Sequence, residues 1–100
     1  MARTDKVGTH KTAIYHSDGY TCIRYHSTEV VKFNDDEIIL NSGGWQTVTT
    51  KLRMNQASNQ FRLGFYVHQR QHEWFVTNSN RTYSFNDGMI LERYKEVNYA

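Results

Sequence analysis

The chain has no proline, a single cysteine, and no apolar run near the ~20 residues that a membrane-spanning helix needs. Each shortage excludes something. Without proline there is no rigid linker, and 100 residues make one domain of ordinary size. Residues 1–8 are polar and read as a flexible N-terminal segment, leaving 9–100 as a single domain. Cys22 has no partner for an intrachain disulfide, so a reducing compartment is the default. It sits in the alternating run TCIRY, where a buried, inert thiol is expected. No signal-peptide core is present, so the expectation is a soluble, cytoplasmic protein with no membrane partner.

Catalytic and metal motifs are scarce as well. His68 and His72 are four apart, but they fall on a strand and its turn, where that spacing loses its helical meaning. His10, His16 and His26 recur without a cysteine or carboxylate at ligand spacing, so no metal and no cofactor is expected. No nucleophile with a base can be assembled, and Asp35-Asp36-Glu37 reads as a turn. An enzyme is the least expected class.

What the chain does have is rings: seven Tyr, five Phe and two Trp. Large rings fill a small core with few residues, and also leave stacking surfaces for partners. Lys plus Arg is 12 and Asp plus Glu is 10, a net charge of +2. That is too small to argue for tight non-specific DNA binding, yet the charge is unevenly spread. From Gly43 to His72 there are four cations and no carboxylate, whereas Glu29, Asp35, Asp36 and Glu37 cluster just before. A local basic field steers anions even on a nearly neutral chain.

Short strand signals recur every eight to twelve residues, as in an antiparallel sheet. HKTAIYH, YTCIRYH, TEVVKF, EIILN, FYVHQ, HEWFVT, RTYSF and MILERY are separated by turn residues, with EIILN apolar on both sides as in a central strand. Asn86-Asp87-Gly88 is a strong hairpin cue. TTKLRMNQASNQF, about residues 48–61, is the one helix candidate: good helix formers, a Thr47 or Thr49 cap, and Met54, Ala57 and Phe61 on one stripe. The expectation is an α+β fold, a twisted antiparallel sheet of about six or seven strands with this helix on one face. A half-covered, aromatic-rich sheet invites self-association, so a homo-oligomer, most simply a symmetric dimer, is expected.

The segment SGGWQTVTTKLRMNQ concentrates hydrogen-bonding and stacking capacity. Gly43 and Gly44 can take positive φ and present bare amides, an anion nest that a helix N-terminus reinforces. Lys51 and Arg53 add charge, Thr47, Thr49 and Thr50 add hydroxyls, Asn55 adds an amide, and Trp45 can stack on a base. Together these are candidate binding residues for a nucleotide or another phosphate-bearing small molecule. The plainer reading is a Gly-Gly strand exit, a threonine cap and a tryptophan over the core. Elsewhere Asn55, Gln56, Asn59 and Gln60 form a polar late helix face, which is usually just solvated. Arg24, Arg62 and Arg70 lie near Tyr25, Tyr66 and Trp74, an interleaving that suits single-stranded nucleic acid and equally suits ordinary surface and core.

The run YHSTEVVKF…EIILNSGGWQTVTTKLRMNQ…FYVHQRQHEWFV…FNDGMIL resembles a widespread group of small proteins encoded in bacteriophage genomes, over roughly Tyr25 to Leu91. The resemblance implies an accessory phage protein made in the cytoplasm of an infected bacterium. Small phage proteins without catalytic motifs often antagonise host defence. By analogy, a sponge protein sequestering the cyclic nucleotide or ADP-ribose-type signals of CBASS and Thoeris systems would suit these residues. The alternatives are a single-strand nucleic-acid binder and an inhibitor that meets a host protein through an aromatic surface.

Overall fold

The computed structural model describes residues 6–93. The chain runs β1 (Thr12–Ser17), β2 (Tyr20–Tyr25), β3 (Thr28–Phe33), β4 (Glu37–Leu40), α1 (Val48–Phe61), β5 (Phe65–Arg70), β6 (Glu73–Asn78), β7 (Arg81–Ser84) and β8 (Met89–Glu92). This is the expected α+β class, but among the described residues the strands number eight and they split into two sheets. The first has the order β1-β2-β3-β4-β8 and the second the order β5-β6-β7, all neighbours antiparallel.

The two-residue turns explain the hairpins. Asp18-Gly19, Gln71-His72 and Ser79-Asn80 all have positive φ at both central positions, the signature of type I′ turns whose twist matches the strands they join. Asn86-Asp87-Gly88 behaves differently from its hairpin cue. β7 and β8 do not pair; the chain crosses between sheets and β8 docks beside β4. Leu40 and Leu91 are buried there, and β4 becomes an interior strand.

Alternation places Ile14, Ile23, Val31, Leu40 and Met89 in one row across the inner face, by strand register. Tyr15, Cys22, Lys32, Ile39 and Ile90 make the matching outer row. The register shifts between Ile23 and Arg24, where Val30 is the extra residue in β3. Such a bulge breaks alternation, and both Val30 and Val31 are buried. Cys22 is buried, as expected; burial, then the nearby Glu29 carboxylate, pushes its thiol pKa up, which favours the protonated thiol.

Helix α1 packs on β5, β3 and β2. Met54 and Ala57 enter the core and Phe61 meets Phe33 at 5.0 Å between ring centroids. The helix also buries Thr50, Arg53, Gln56 and Ser58, a polar set that its apolar stripe does not reveal. Buried Ser58 and the half-buried Asn55 bond the neighbouring strand. Asn55 Nδ2 donates to the Val67 carbonyl at 2.8 Å, and Oδ1 accepts the Val67 amide at 2.8 Å. Ser58 Oγ donates to the Phe65 carbonyl at 2.7 Å and accepts the Phe65 amide at 3.1 Å. One turn of helix thus stands in for a missing strand along the free edge of β5. Gln60 Oε1 accepts the Val7 amide at 2.8 Å and Gln56 Oε1 the Gly8 amide at 3.0 Å, so the end of the N-terminal segment is tied to the helix. Residues 1–5 and 94–100 of the expected segments lie outside the described residues.

Candidate functional site

The loop from Asn41 to Thr47 is specified at nearly every residue. Asn41 Oδ1 accepts the Gly43 amide at 2.7 Å, and the Trp45 amide donates to the Ser42 carbonyl at 3.1 Å. Gly43 and Gly44 between them have φ of 66° and 83°, a type I′ turn that glycine takes at little cost. The Thr47 amide donates to the Trp45 carbonyl at 3.0 Å, and Thr47 Oγ1 accepts the Thr50 amide at 3.1 Å as the helix N-cap.

Asp87 locks this loop from the far end of the sequence. Its Oδ1 accepts both the amide and the hydroxyl of Ser42 at 2.7 Å, and its Oδ2 accepts the Gly44 amide at 3.2 Å. Burial alone would raise the Asp87 carboxyl. The hydrogen bonds from the Ser42 hydroxyl and the Ser42 and Gly44 amides outweigh it and hold the pKa below the ordinary 3.8. The anion of the nest is therefore the protein's own carboxylate. The Gly43 and Gly44 amides, candidates for holding a ligand phosphate, already have acceptors.

The locked loop holds the Trp45 indole outward, 72% exposed. It stands over a hollow of about 270 Å³ on the helix side of the β2–β3 hairpin end. Tyr25 and His26 contribute two more rings, Val30 the floor, and Ser27, Thr28, Thr47 and Thr50 four hydroxyls. Tyr25 and His26 meet edge-on at 4.4 Å. Of the sequence candidates, Trp45, Thr47 and Thr50 come together here. Thr49 is half-buried on the first turn of α1 and does not line the hollow.

The cations go elsewhere. Lys51 Nζ reaches across to Gln69 Oε1 on β5 at 3.3 Å. Arg53 is only 7% exposed; its Nε donates to Thr12 Oγ1 at 3.0 Å and its Nη1 to Gln56 Oε1 at 3.1 Å. Its guanidinium lies 5.6 Å from the centroid of the Tyr25 ring, so its charge sits behind one wall of the hollow rather than in it. Among the described residues no carboxylate pairs with it. Asn55, one of the candidate binding residues for its amide, is taken up by Val67. Sequence reasoning missed Tyr25, His26, Ser27 and Thr28, which the β2–β3 hairpin carries to Trp45. The only local signal was the polar YHST run at that turn.

A second, open groove of about 610 Å³ lies on the outer face of the first sheet. Arg24, Glu29, Lys32 and Tyr15 line it, with Asn41 and Gly43 at its end. Tyr15 Oη donates to Glu29 Oε2. That bond, more than the opposing burial, holds the Glu29 pKa below its ordinary 4.5. Arg24 lies 5.6 Å from the Tyr15 ring centroid and Lys32 4.9 Å from that of Tyr20. Among the described residues no cluster of three or more His, Cys, Asp or Glu could hold a metal, and no helix is long and apolar enough to cross a membrane.

Fold and site together define a small two-sheet α+β protein with a preformed, ring-lined hollow at the start of its one described helix. The chain belongs to the Kyanoviridae Gp96 protein family, whose model matches residues 1–92, and it is thus a phage-encoded protein of the cyanophages. No curated protein and no solved structure matches the chain.

Proposed function

We propose that this protein is a non-catalytic accessory protein of the phage that binds a nucleotide-type ligand in the Trp45 hollow, inside the infected host. One observation carries the reading. The backbone that carries an indole 72% exposed is fixed by Asp87 and two turns, beside Tyr25, His26 and the hydroxyl-bearing Ser27, Thr28, Thr47 and Thr50. Folding alone gives no reason to spend so many hydrogen bonds on keeping a tryptophan in water. A stacking platform does, since ordering it in advance lowers the entropy cost of binding. The volume of about 270 Å³ falls just below the ~300–1,000 Å³ of typical ligand pockets, so it takes one base or ring system, with the remainder of the ligand outside. Sequestration of a cyclic nucleotide or ADP-ribose-type immune signal is the role such a site would serve in a phage.

The test is thermal shift and Trp fluorescence with cyclic di- and trinucleotides and cyclic ADP-ribose isomers. A true ligand at a hundredfold its Kd adds about 2.7 kcal/mol of stability. Trp45→Ala should leave the apo protein within about 0.5 kcal/mol of wild type, because the side chain is exposed. It should weaken binding by the ~1–3 kcal/mol of one stacked base. Silence across the panel from folded protein defeats the proposal.

A second reading rests on a different surface. On the second sheet the Tyr66 and His68 rings stack at 5.4 Å and those of His68 and Phe75 at 6.0 Å, with Tyr66 exposed. A ladder of rings on a sheet is a platform for single-stranded nucleic acid. Oligonucleotide binding that falls steeply with salt and is lost in Tyr66→Ala, but kept in Trp45→Ala, supports it.

A further inference from the structure

Among the described residues the Trp45 hollow is lined by rings and hydroxyls and by no Lys or Arg, so a phosphate-bearing ligand must find its counter-charge nearby. We infer that the phosphate arm of the ligand lies in the outer-face groove between Arg24 and Lys32. This rests on the nucleotide reading above and names where its charged end is held.

The hollow and the groove are neighbours. Both are lined by Ser27 and Thr28, the residues that end the β2–β3 hairpin. The bulge in β3 turns Val30 to the inner side while Glu29 and Lys32 line the outer groove, so the two cavities lie on opposite faces of one hairpin tip. The ridge between them is thin because Gly43 packs directly on Thr28; a Cβ at Gly43 would collide with Thr28 Oγ1. A ligand with its ring beside Trp45 therefore passes over Ser27 and Thr28 to reach Arg24 and Lys32.

The groove suits an anion. Arg24 and Lys32 rest on tyrosine rings, and among the described residues neither donates a hydrogen bond, so their N–H groups remain available. The opposing charge in the groove is Glu29, whose carboxylate is held by Tyr15. Two cations against one carboxylate leave a net positive groove. The cations that the sequence suggested instead are committed: Lys51 to Gln69, and Arg53 to Thr12 and Gln56 inside the fold.

The experiment titrates the full chain with two nucleoside–nucleotide pairs, adenosine with ADP and guanosine with GDP, following indole quenching and using Trp45→Phe to assign the signal. The double variant Arg24→Gln/Lys32→Gln should lose at least tenfold in affinity for the nucleotide and stay within twofold for its nucleoside. Lys51→Gln should bind both like wild type. Glu29→Gln keeps a partner for Tyr15 while removing the opposing charge, so it should tighten the nucleotide and leave the nucleoside unchanged. That gain cannot arise from damage to the fold. Unchanged nucleotide binding in both charge variants overturns the phosphate arm while leaving the Trp45 site standing. Equal weakening of nucleoside and nucleotide also overturns it, because the effect is then not on phosphate. Failure of wild-type protein to bind any of the four overturns the arm for these ligands, and the cyclic-nucleotide and cyclic ADP-ribose panel separately decides whether the Trp45 reading falls with it.

Discussion

Asp87 and Gly43 lie more than forty residues apart in the chain and share one loop. Asp87 bonds the loop amides, and Gly43 lets the loop touch Thr28. The neighbouring glycines therefore differ in cost. Both have positive φ, which penalises alanine by about 1 kcal/mol or more. A Cβ at Gly44 meets open space, whereas one at Gly43 meets Thr28 and adds an overpacking cost of ~1–3 kcal/mol. Gly43→Ala should accordingly be the more destabilising in urea denaturation, and Thr28→Ala in the same chain should recover part of the loss by removing the colliding hydroxyl together with the nearby methyl. Equal costs for the two glycines would show that the contact with Thr28 is dispensable.

At the level of elements, the unusual feature is a helix whose polar side chains finish a sheet. Asn55 and Ser58 give β5 the partners that a further strand would give. Ser58→Ala leaves the buried Phe65 amide and carbonyl without those bonds and should cost about 1–3 kcal/mol per group left unsatisfied. Asn55→Ala should do the same at Val67, and in both variants amide exchange should rise first in β5. The β5–β6 turn offers the opposite lever. Gln71 and His72 hold φ of 51° and 67° without being glycine. Gln71→Asn with His72→Gly installs the pair that type I′ turns favour and should stabilise by about 0.5–1 kcal/mol, read as a higher Tm.

For the whole molecule, acid stability follows from two carboxylates. Asp87 and Glu29 both titrate below their ordinary 3.8 and 4.5 in the folded chain. Each binds a proton more readily when unfolded. The stability they contribute is complete above those ordinary values and is lost as pH falls through the lower folded ones. Urea midpoints should therefore drop on acidification below 4.5, and Asp87→Asn should flatten part of that drop while lowering the plateau at neutral pH. Self-association was expected from a sheet with one covered face. Ile90 on the outer row of β8 is 64% exposed, and among the described residues β8 has a strand neighbour on one side only. If β8 is the contact, sedimentation should show a concentration-dependent dimer that Ile90→Lys abolishes.

Local order was readable because its causes are local. Helix α1 spans Val48–Phe61 with Thr47 as its cap, and good helix formers beside a hydroxyl suffice to say so. Alternating runs and turn residues likewise marked the strands, since pleat and twist act over a few residues. The division into two sheets was not readable: whether Asn86-Asp87-Gly88 closes a hairpin or crosses between sheets depends on which edge offers β8 a buried face, and β4 does. The site divides the same way. Trp45, Thr47 and Thr50 came from one short segment, but the commitment of Lys51, Arg53 and Asn55 to β5 and to the chain's beginning is set by partners 12 to 41 residues away. Sequence assigns each side chain its chemistry; only the packed fold decides whether that chemistry is already satisfied within the protein or left for a ligand.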